Sequence, residues 1–126
     1  MIKQYTVLKV SDNSGAKKIR CIQLSKGFNK KFSKLGDLIV VSILELRNKL
    51  RITSKVLKGD VVKALVVRTK KKKTEKDGSS ICFADNSVIL INAQGKLTGT
   101  RIMGPIPKFL RKNKALKLAS VSTGFF

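Results

Sequence analysis

What most constrains the fold of this chain is its punctuation. Apolar residues come in short, β-branched runs, and clusters of turn-forming residues separate them. Tyr5–Val10 is closed by Asp12-Asn13-Ser14-Gly15, Leu38–Leu46 follows Gly36-Asp37, and Val61–Thr69 follows Gly59-Asp60. Asp and Asn side chains fold back on their own backbone, and Gly supplies the positive φ that many tight turns require. Short β-branched runs bounded by such clusters read as strands. Lys18–Leu24, Ser80–Phe83 and Ser87–Ile91 complete the set. No segment carries the longer period of an amphipathic helix, so the chain is expected to be all-β.

The stretches between these runs sort by composition. Ser25–Lys34 reads as a loop in which Lys26, Lys30, Lys31 and Lys34 alternate with Phe28 and Phe32. Arg47–Lys58 is basic and breaks its apolar pattern, which suggests an extended hairpin or arm over 47–58. Lys70-Lys71-Lys72-Lys73, with Lys76-Asp77-Gly78, reads as a loop and tight turn, and Gln94–Gly104 as a Gly-rich excursion. Gly104-Pro105 suits a helix start, since proline is tolerated in the first turn, so a short helical segment is expected over about 105–114. Leu116–Val121 is expected to pair back as a last strand. Leu38–Leu46 is apolar on nearly every residue, the mark of a strand covered on both faces.

Five or six short strands with no long helix must hide their edges, and at this size a small closed or partly open barrel does so most economically. Side chains fill the interior of such a barrel, leaving its loops and outer wall for function. The 126 residues fit one domain, 1–126.

Charge narrows the partner. The chain holds 28 Lys+Arg against 7 Asp+Glu, with no His, for a formal net charge of +21. A compact body resists that much like charge unless a polyanion neutralises it. Every charged residue beyond Asp85 is Lys or Arg. The 42% hydrophobic content is that of a globular domain, too apolar for a disordered basic tail. Five clusters are positive: Lys17-Lys18-Arg20, Lys26–Lys34, Lys49–Lys58, Lys70–Lys76 and the C-terminal run from Lys108 to Lys117. A barrel wrapped in positive loops fits a protein held by many phosphates at once, and phosphate contacts position without reading sequence. Recognition is then expected to rest on RNA shape.

Other chemistries find little support. Without histidine the commonest general base is missing, and the carboxylates are scattered. Two Cys and no His cannot build a four-coordinate zinc site. Cys21 and Cys82 could be bridged, but the favoured reading is two reduced core thiols. Asp85 near Asn86 and Asp77 reads as turn residues capping their own backbone rather than a cation site. Gly95–Arg101 lacks the spacing of a nucleotide-binding phosphate loop. No enzyme and no cofactor is expected. The longest apolar run, Leu38–Leu44, is far short of the ~20 residues of a membrane helix. From Met1 the chain is expected to lead straight into the first strand rather than through a signal or transit peptide, so the protein acts where it is made or any presequence has already been removed. Single-strand binders add aromatics on one sheet face. Here the Phe residues fall mostly in loops and at the C-terminus, with only Phe83 inside an expected strand.

The turns, taken in order, are themselves recognisable. Asp12-Asn13-Ser14-Gly15-Ala16-Lys17, Gly36-Asp37, Gly59-Asp60 through Lys63-Ala64 to Val67-Arg68-Thr69-Lys70, Asp77-Gly78 with Phe83 and Asn86, and Gly99-Thr100-Arg101-Ile102-Met103-Gly104-Pro105 form one series. That series resembles the universal large-subunit ribosomal protein fourteen family, in its bacterial and organellar form, from about Met1 to Ser120. The stretch Ala64–Ile89 fits the family's signature region in residue type and spacing.

The resemblance implies a five-stranded closed β-barrel with a protruding β-ribbon and a short helical C-terminal segment. It implies a structural constituent of the large ribosomal subunit that binds large-subunit rRNA, pairs by β-strand with a neighbouring large-subunit protein and forms an intersubunit bridge to small-subunit rRNA. The rRNA-binding set expected here is Lys17, Lys18, Arg20, Lys26, Lys30, Lys31, Lys34, Arg68, Lys70, Lys71, Lys72 and Lys73. The bridge surface falls on Thr100, Arg101 and Lys117, where the family also receives a ribosome-silencing factor. Two features depart from the family: the longer 47–58 arm, and Ser122–Phe126 in place of the usual Ala-Pro-Glu ending. Abundant Lys, Ile and Asn, an A/T-rich bias, points with the divergent ends to a mitochondrial ribosome, the alternatives being plastid or bacterial. The competing function is a free-standing single-strand nucleic-acid-binding barrel.

Overall fold

The computed structural model describes residues 1–24, 30–47, 54–112, 122 and 124. Among the described residues seven strands are present: β1 Val7–Val10, β2 Ala16–Leu24, β3 Leu38–Leu46, β4 Val61–Arg68, β5 Lys73–Thr74, β6 Ser80–Ile81 and β7 Ser87–Ile91. Five of them close into a barrel in the order β1-β2-β3-β4-β7, and β5 pairs with β6 as a separate two-stranded ribbon. All barrel pairings are antiparallel except β1 with β7, which closes the ring in parallel.

Alternation along the strands fills the interior. Leu8, Val10, Ile19, Cys21, Ile39, Val41, Ile43, Ala64, Val66, Val88 and Leu90 point inward and form one buried cluster. Along the second half of β4 and along β7 the outward residues are buried too. Leu65, Val67, Ile89 and Ile91 pack under Ile102, Ile106 and Leu110, so the chain beyond the last barrel strand forms a second apolar layer. This is why β7 is buried at every position. The outward face of β3 is only half-buried, so the strand covered on both faces is β7 rather than β3.

Several element boundaries differ from expectation, each for a local reason. β1 starts at Val7 rather than Tyr5, because Tyr5 has a φ of 66° and leaves the extended region. β2 starts at Ala16, two residues before Lys18, since Ala16 already pairs with Leu46. β6 stops at Ile81, so Phe83 lies outside a strand; its amide donates to Thr69 O instead. The expected loop at Lys70–Lys76 holds strand β5 and supplies the ribbon.

Of the expected arm at 47–58, the described ends are tied to the barrel. Val56 is buried in the barrel cluster, the Lys55 amide donates to Ser14 O, and the Arg47 amide donates to Gly15 O. The apolar Val56 side chain draws this segment onto the barrel mouth; residues 48–53 lie outside the described set. The helical segment is a 3-10 turn, Lys108–Lys112, that follows Pro107 rather than Gly104-Pro105. The Ile106 amide is taken by Gly124 O at 3.1 Å, which holds that residue extended and delays the helix. Ser122 bridges Ile102 in parallel; the expected strand Leu116–Val121 lies outside the described residues.

Strand directions sort the loops into two groups. The β1–β2 turn, the end of β3, the start of β4 and the chain after β7 gather at one mouth of the barrel. The N-terminal residues, the approach to β3, and the stretch from the end of β4 to the start of β7 gather at the other. Among the described residues no helix is long and apolar enough to cross a membrane.

Candidate nucleic-acid interface

Lys17, Lys18 and Arg20 stand together on the outer face of β2, all exposed. Strict alternation would send one of two consecutive lysines inward. Shifts in the β2–β3 register on either side of Lys18 let both face solvent, the usual effect of a bulge. Across the ladder Lys9 sits opposite Lys18, and sequence reasoning missed it although alternation along β1 already marks it as outward. The pairing of like charges is only lightly offset. Lys18 Nζ lies 3.4 Å from Glu45 Oε1 and Lys9 Nζ 3.9 Å from Asp85 Oδ2, and with both lysines exposed each ion pair contributes little. No described barrel strand carries an aromatic residue, so this wall is charged without being a stacking platform.

At the mouth holding the N-terminal residues, two distant lysine groups converge. Lys34, Lys71, Lys72 and Lys73 line one cavity of about 370 Å³ with Met1, Phe32, Leu35, Thr69 and Thr74. Its walls are pinned from behind. Ile2 and Ser33 exchange backbone hydrogen bonds of 3.1 and 2.7 Å, the Lys34 amide donates to Asp37 Oδ2, and the Lys70 amide donates to Asn86 Oδ1. Lys73 Nζ sits 3.5 Å above the Phe109 ring, a cation–π contact that fixes its stem. Lys31 and Lys70 are exposed nearby in sequence.

Lys30 and Arg68, also of the expected set, are engaged within the chain at largely covered positions. Lys30 Nζ meets Asp37 Oδ2 at 2.5 Å with both side chains about four-fifths covered. Arg68, with its side chain 15% exposed, donates through NH2 to Met103 O at 3.3 Å and places Nε 3.8 Å from Asp85 Oδ1. Gly104, with a φ of 87°, lies against that guanidinium so closely that a Cβ there would overlap it. Arg68 thereby ties β4 to the second apolar layer. Lys26 lies outside the described residues.

The opposite mouth carries the Gly99-Thr100-Arg101 turn, seated on the β1–β2 turn. Asn13 Oδ1 accepts the amides of Thr100 at 2.7 Å and Arg101 at 3.2 Å, while Asn13 Nδ2 donates to Thr100 Oγ1 at 2.7 Å. Beneath it, Asp12 is 2% exposed; its Oδ2 accepts the Leu90 amide at 2.9 Å and its Oδ1 accepts the Ser14 amide and hydroxyl. Gly99 has no room for a side chain, because a Cβ would stand 2.9 Å from Asp12 Cβ and Asn13 Oδ1. The contacts satisfy the backbone of the turn and leave the Arg101 side chain exposed. Lys55 Nζ caps the neighbouring Thr98 O at 3.0 Å. Lys117 lies outside the described residues.

Among the described residues no three of His, Cys, Asp and Glu stand together as metal ligands. The thiols are unpaired: Cys21 is buried in the barrel as expected, whereas Cys82 is exposed and donates to Lys70 O. The expectation of two core thiols fails at Cys82 because it follows β6, a strand of the ribbon outside the barrel, and stays exposed.

A closed five-stranded barrel with a lysine-rich mouth, a basic wall and a braced Gly-Thr-Arg turn at the far end defines a class of small, basic β-barrel proteins. The whole chain, residues 1–126, matches the family described as Ribosomal protein L14p/L23e, and it belongs to that family. It is therefore a ribosomal protein, a structural constituent of the large subunit.

Proposed function

We propose that the protein binds large-subunit rRNA through one barrel mouth and the β1–β2 wall, and reaches small-subunit rRNA through the other. The observation that carries this reading is the placement of the two features at opposite ends of one rigid barrel. Lys34 and Lys71–Lys73 converge at the first mouth; Thr100 and Arg101 sit on Asn13 at the second. A guanidinium is suited to a phosphate because its planar fork grips two oxygens at once. Holding its backbone to Asn13 reduces the ordering entropy that such an interaction would otherwise cost.

Lys17, Lys18, Arg20, Lys31 and Lys70 extend the positive surface. Lys30 and Arg68 serve the fold, which leaves them a smaller share of the RNA interaction than their charge suggests. Lys26 and Lys117 complete the expected rRNA and bridge sets. Closure of the barrel leaves β5 and β6, among the described strands, as the pair with open edges. Strand pairing with a neighbouring ribosomal protein belongs on that ribbon. A ribosome-silencing factor would act by covering the Thr100–Arg101 end. The sequence bias favours a mitochondrial ribosome.

The test is sedimentation of a native lysate under subunit-dissociating conditions, with mass spectrometry of each particle and sequencing of its rRNA. Stoichiometric recovery in the large-subunit peak with mitochondrial rRNA supports the reading; plastid or bacterial rRNA corrects the compartment. Recovery only in the free pool would sink it in favour of a free-standing single-strand binder.

A further inference from the structure

The cavity between Met1, Phe32–Leu35 and Thr69–Thr74 has more form than electrostatic attachment to a duplex requires. Phosphate contacts need only exposed cations. Here the lysines rim a preformed hollow with an apolar floor: Leu35 is 7% exposed, Phe32 is half-buried, and Met1 closes one side. Its volume of about 370 Å³ lies inside the ~300–1,000 Å³ range of small-ligand sites. Among the described residues no carboxylate lines it.

An aromatic face, an apolar floor and a ring of ammonium groups match a flat heteroaromatic base flanked by phosphates. We propose that the cavity receives one unpaired nucleotide of the bound rRNA, its base against Phe32 and Leu35 and its flanking phosphates on Lys34, Lys71 and Lys72. The inference rests on the rRNA-binding reading and adds to it a point of register. A base turned out of its helix fixes where along the RNA the barrel sits, which the lysines alone cannot do. The occupant is part of the RNA rather than a free nucleotide, because among the described residues the lining contains no Gly-rich turn of converging amides to hold a terminal phosphate. Lys73 contributes through its stem, its ammonium being held over Phe109.

The test uses the full chain and purified large-subunit rRNA, with Phe32→Ala, Phe32→Leu and Phe32→Tyr compared by binding titration at several salt concentrations. Thermal melts establish that each variant is folded. Loss of one base–aromatic stack is expected to weaken binding about 5- to 150-fold in the Ala and Leu variants. Tyr should bind like the parent, and the salt slope should not change, since the ring carries no charge. Ultraviolet cross-linking of the parent should join the Phe32 peptide to one nucleotide that is unpaired in the rRNA. Parent-like affinity for Phe32→Leu, or cross-links confined to paired nucleotides, would overturn this inference while leaving rRNA binding intact. Displacement of the rRNA by millimolar nucleoside monophosphates would reassign the cavity to a free nucleotide. Failure of the parent chain to bind the rRNA at all would instead overturn the proposed function.

Discussion

Asn13 and Thr100, 87 residues apart, are joined by two side-chain-mediated hydrogen bonds of 2.7 Å, one in each direction across the amide. The Asn13 carboxamide replaces the backbone partners that an isolated Gly-rich turn would lack. Asn13→Ala removes these bonds and the bond to the Arg101 amide. Since the site is solvent-exposed, water recovers part of the loss, and a destabilisation of about 1 kcal/mol is expected. The sharper readout is local. Amide exchange at Thr100 and Arg101 should accelerate while that of Leu90, held by Asp12, stays protected. Unchanged exchange at Thr100 would show that the turn stands without Asn13.

That bracing assigns distinct effects to Asn13 and Arg101 at the proposed bridge. Arg101→Ala should leave the melting temperature within about 1 °C of the parent, because an exposed side chain without described partners contributes little to stability. Subunit joining in a reconstituted system should weaken, most visibly at low magnesium. Arg101→Lys should recover less than half of the loss, since a point charge does not reproduce the two-pronged grip. Normal joining by Arg101→Ala would remove the residue from the bridge.

At the other mouth, charge and function separate cleanly. Replacing Lys71 and Lys72 with Gln should weaken rRNA binding and reduce the magnitude of the log–log salt slope by roughly 0.7–0.9 for each phosphate that is no longer neutralised. Lys30→Gln should do something else. It strips Asp37 of a largely covered ion pair, so it should lower stability by about 1–3 kcal/mol while leaving the salt slope unchanged. If both substitutions flatten the slope equally, Lys30 reaches the RNA as well.

The contrast between Lys30 and Lys71 marks the limit of what the sequence discloses. β3 and β7 are legible to the residue, because nearly unbroken apolar runs stand between unmistakable turns. The basic wall is legible from alternation. What alternation cannot convey is the partner of a charge: nothing local distinguishes Lys30, paired with Asp37, from Lys34 on the cavity rim. Asp12 and Asn13 read only as turn formers, yet their side chains reach Leu90 and Thr100 across the barrel mouth. The second apolar layer is hidden because Gly104, Pro105 and Pro107 interrupt the spacing of Ile102, Ile106 and Leu110. Those residues pack as irregular chain, without a period to detect.

The two thiols offer a direct measurement of that layering. Cys21 lies inside the barrel, and burial pushes its thiol up from the ordinary value, because the thiolate would lose its hydration there. Cys82 is exposed on the ribbon side. A thiol reagent at pH 8 should therefore modify one cysteine per native chain within minutes, and peptide mapping should place it at Cys82. Cys21 should react only when the barrel opens, at a rate that rises with denaturant. Because the thiol pKa is raised in the fold, the folded chain holds a proton that the unfolded chain releases first. The Cys21 contribution to stability is thus full below the unfolded thiol pKa and falls as pH climbs through the folded value. Cys21→Ala should remove that alkaline dependence and cost about 1–2 kcal/mol for the cavity it leaves. Modification of both thiols at equal rates in the native chain would contradict a closed, packed barrel.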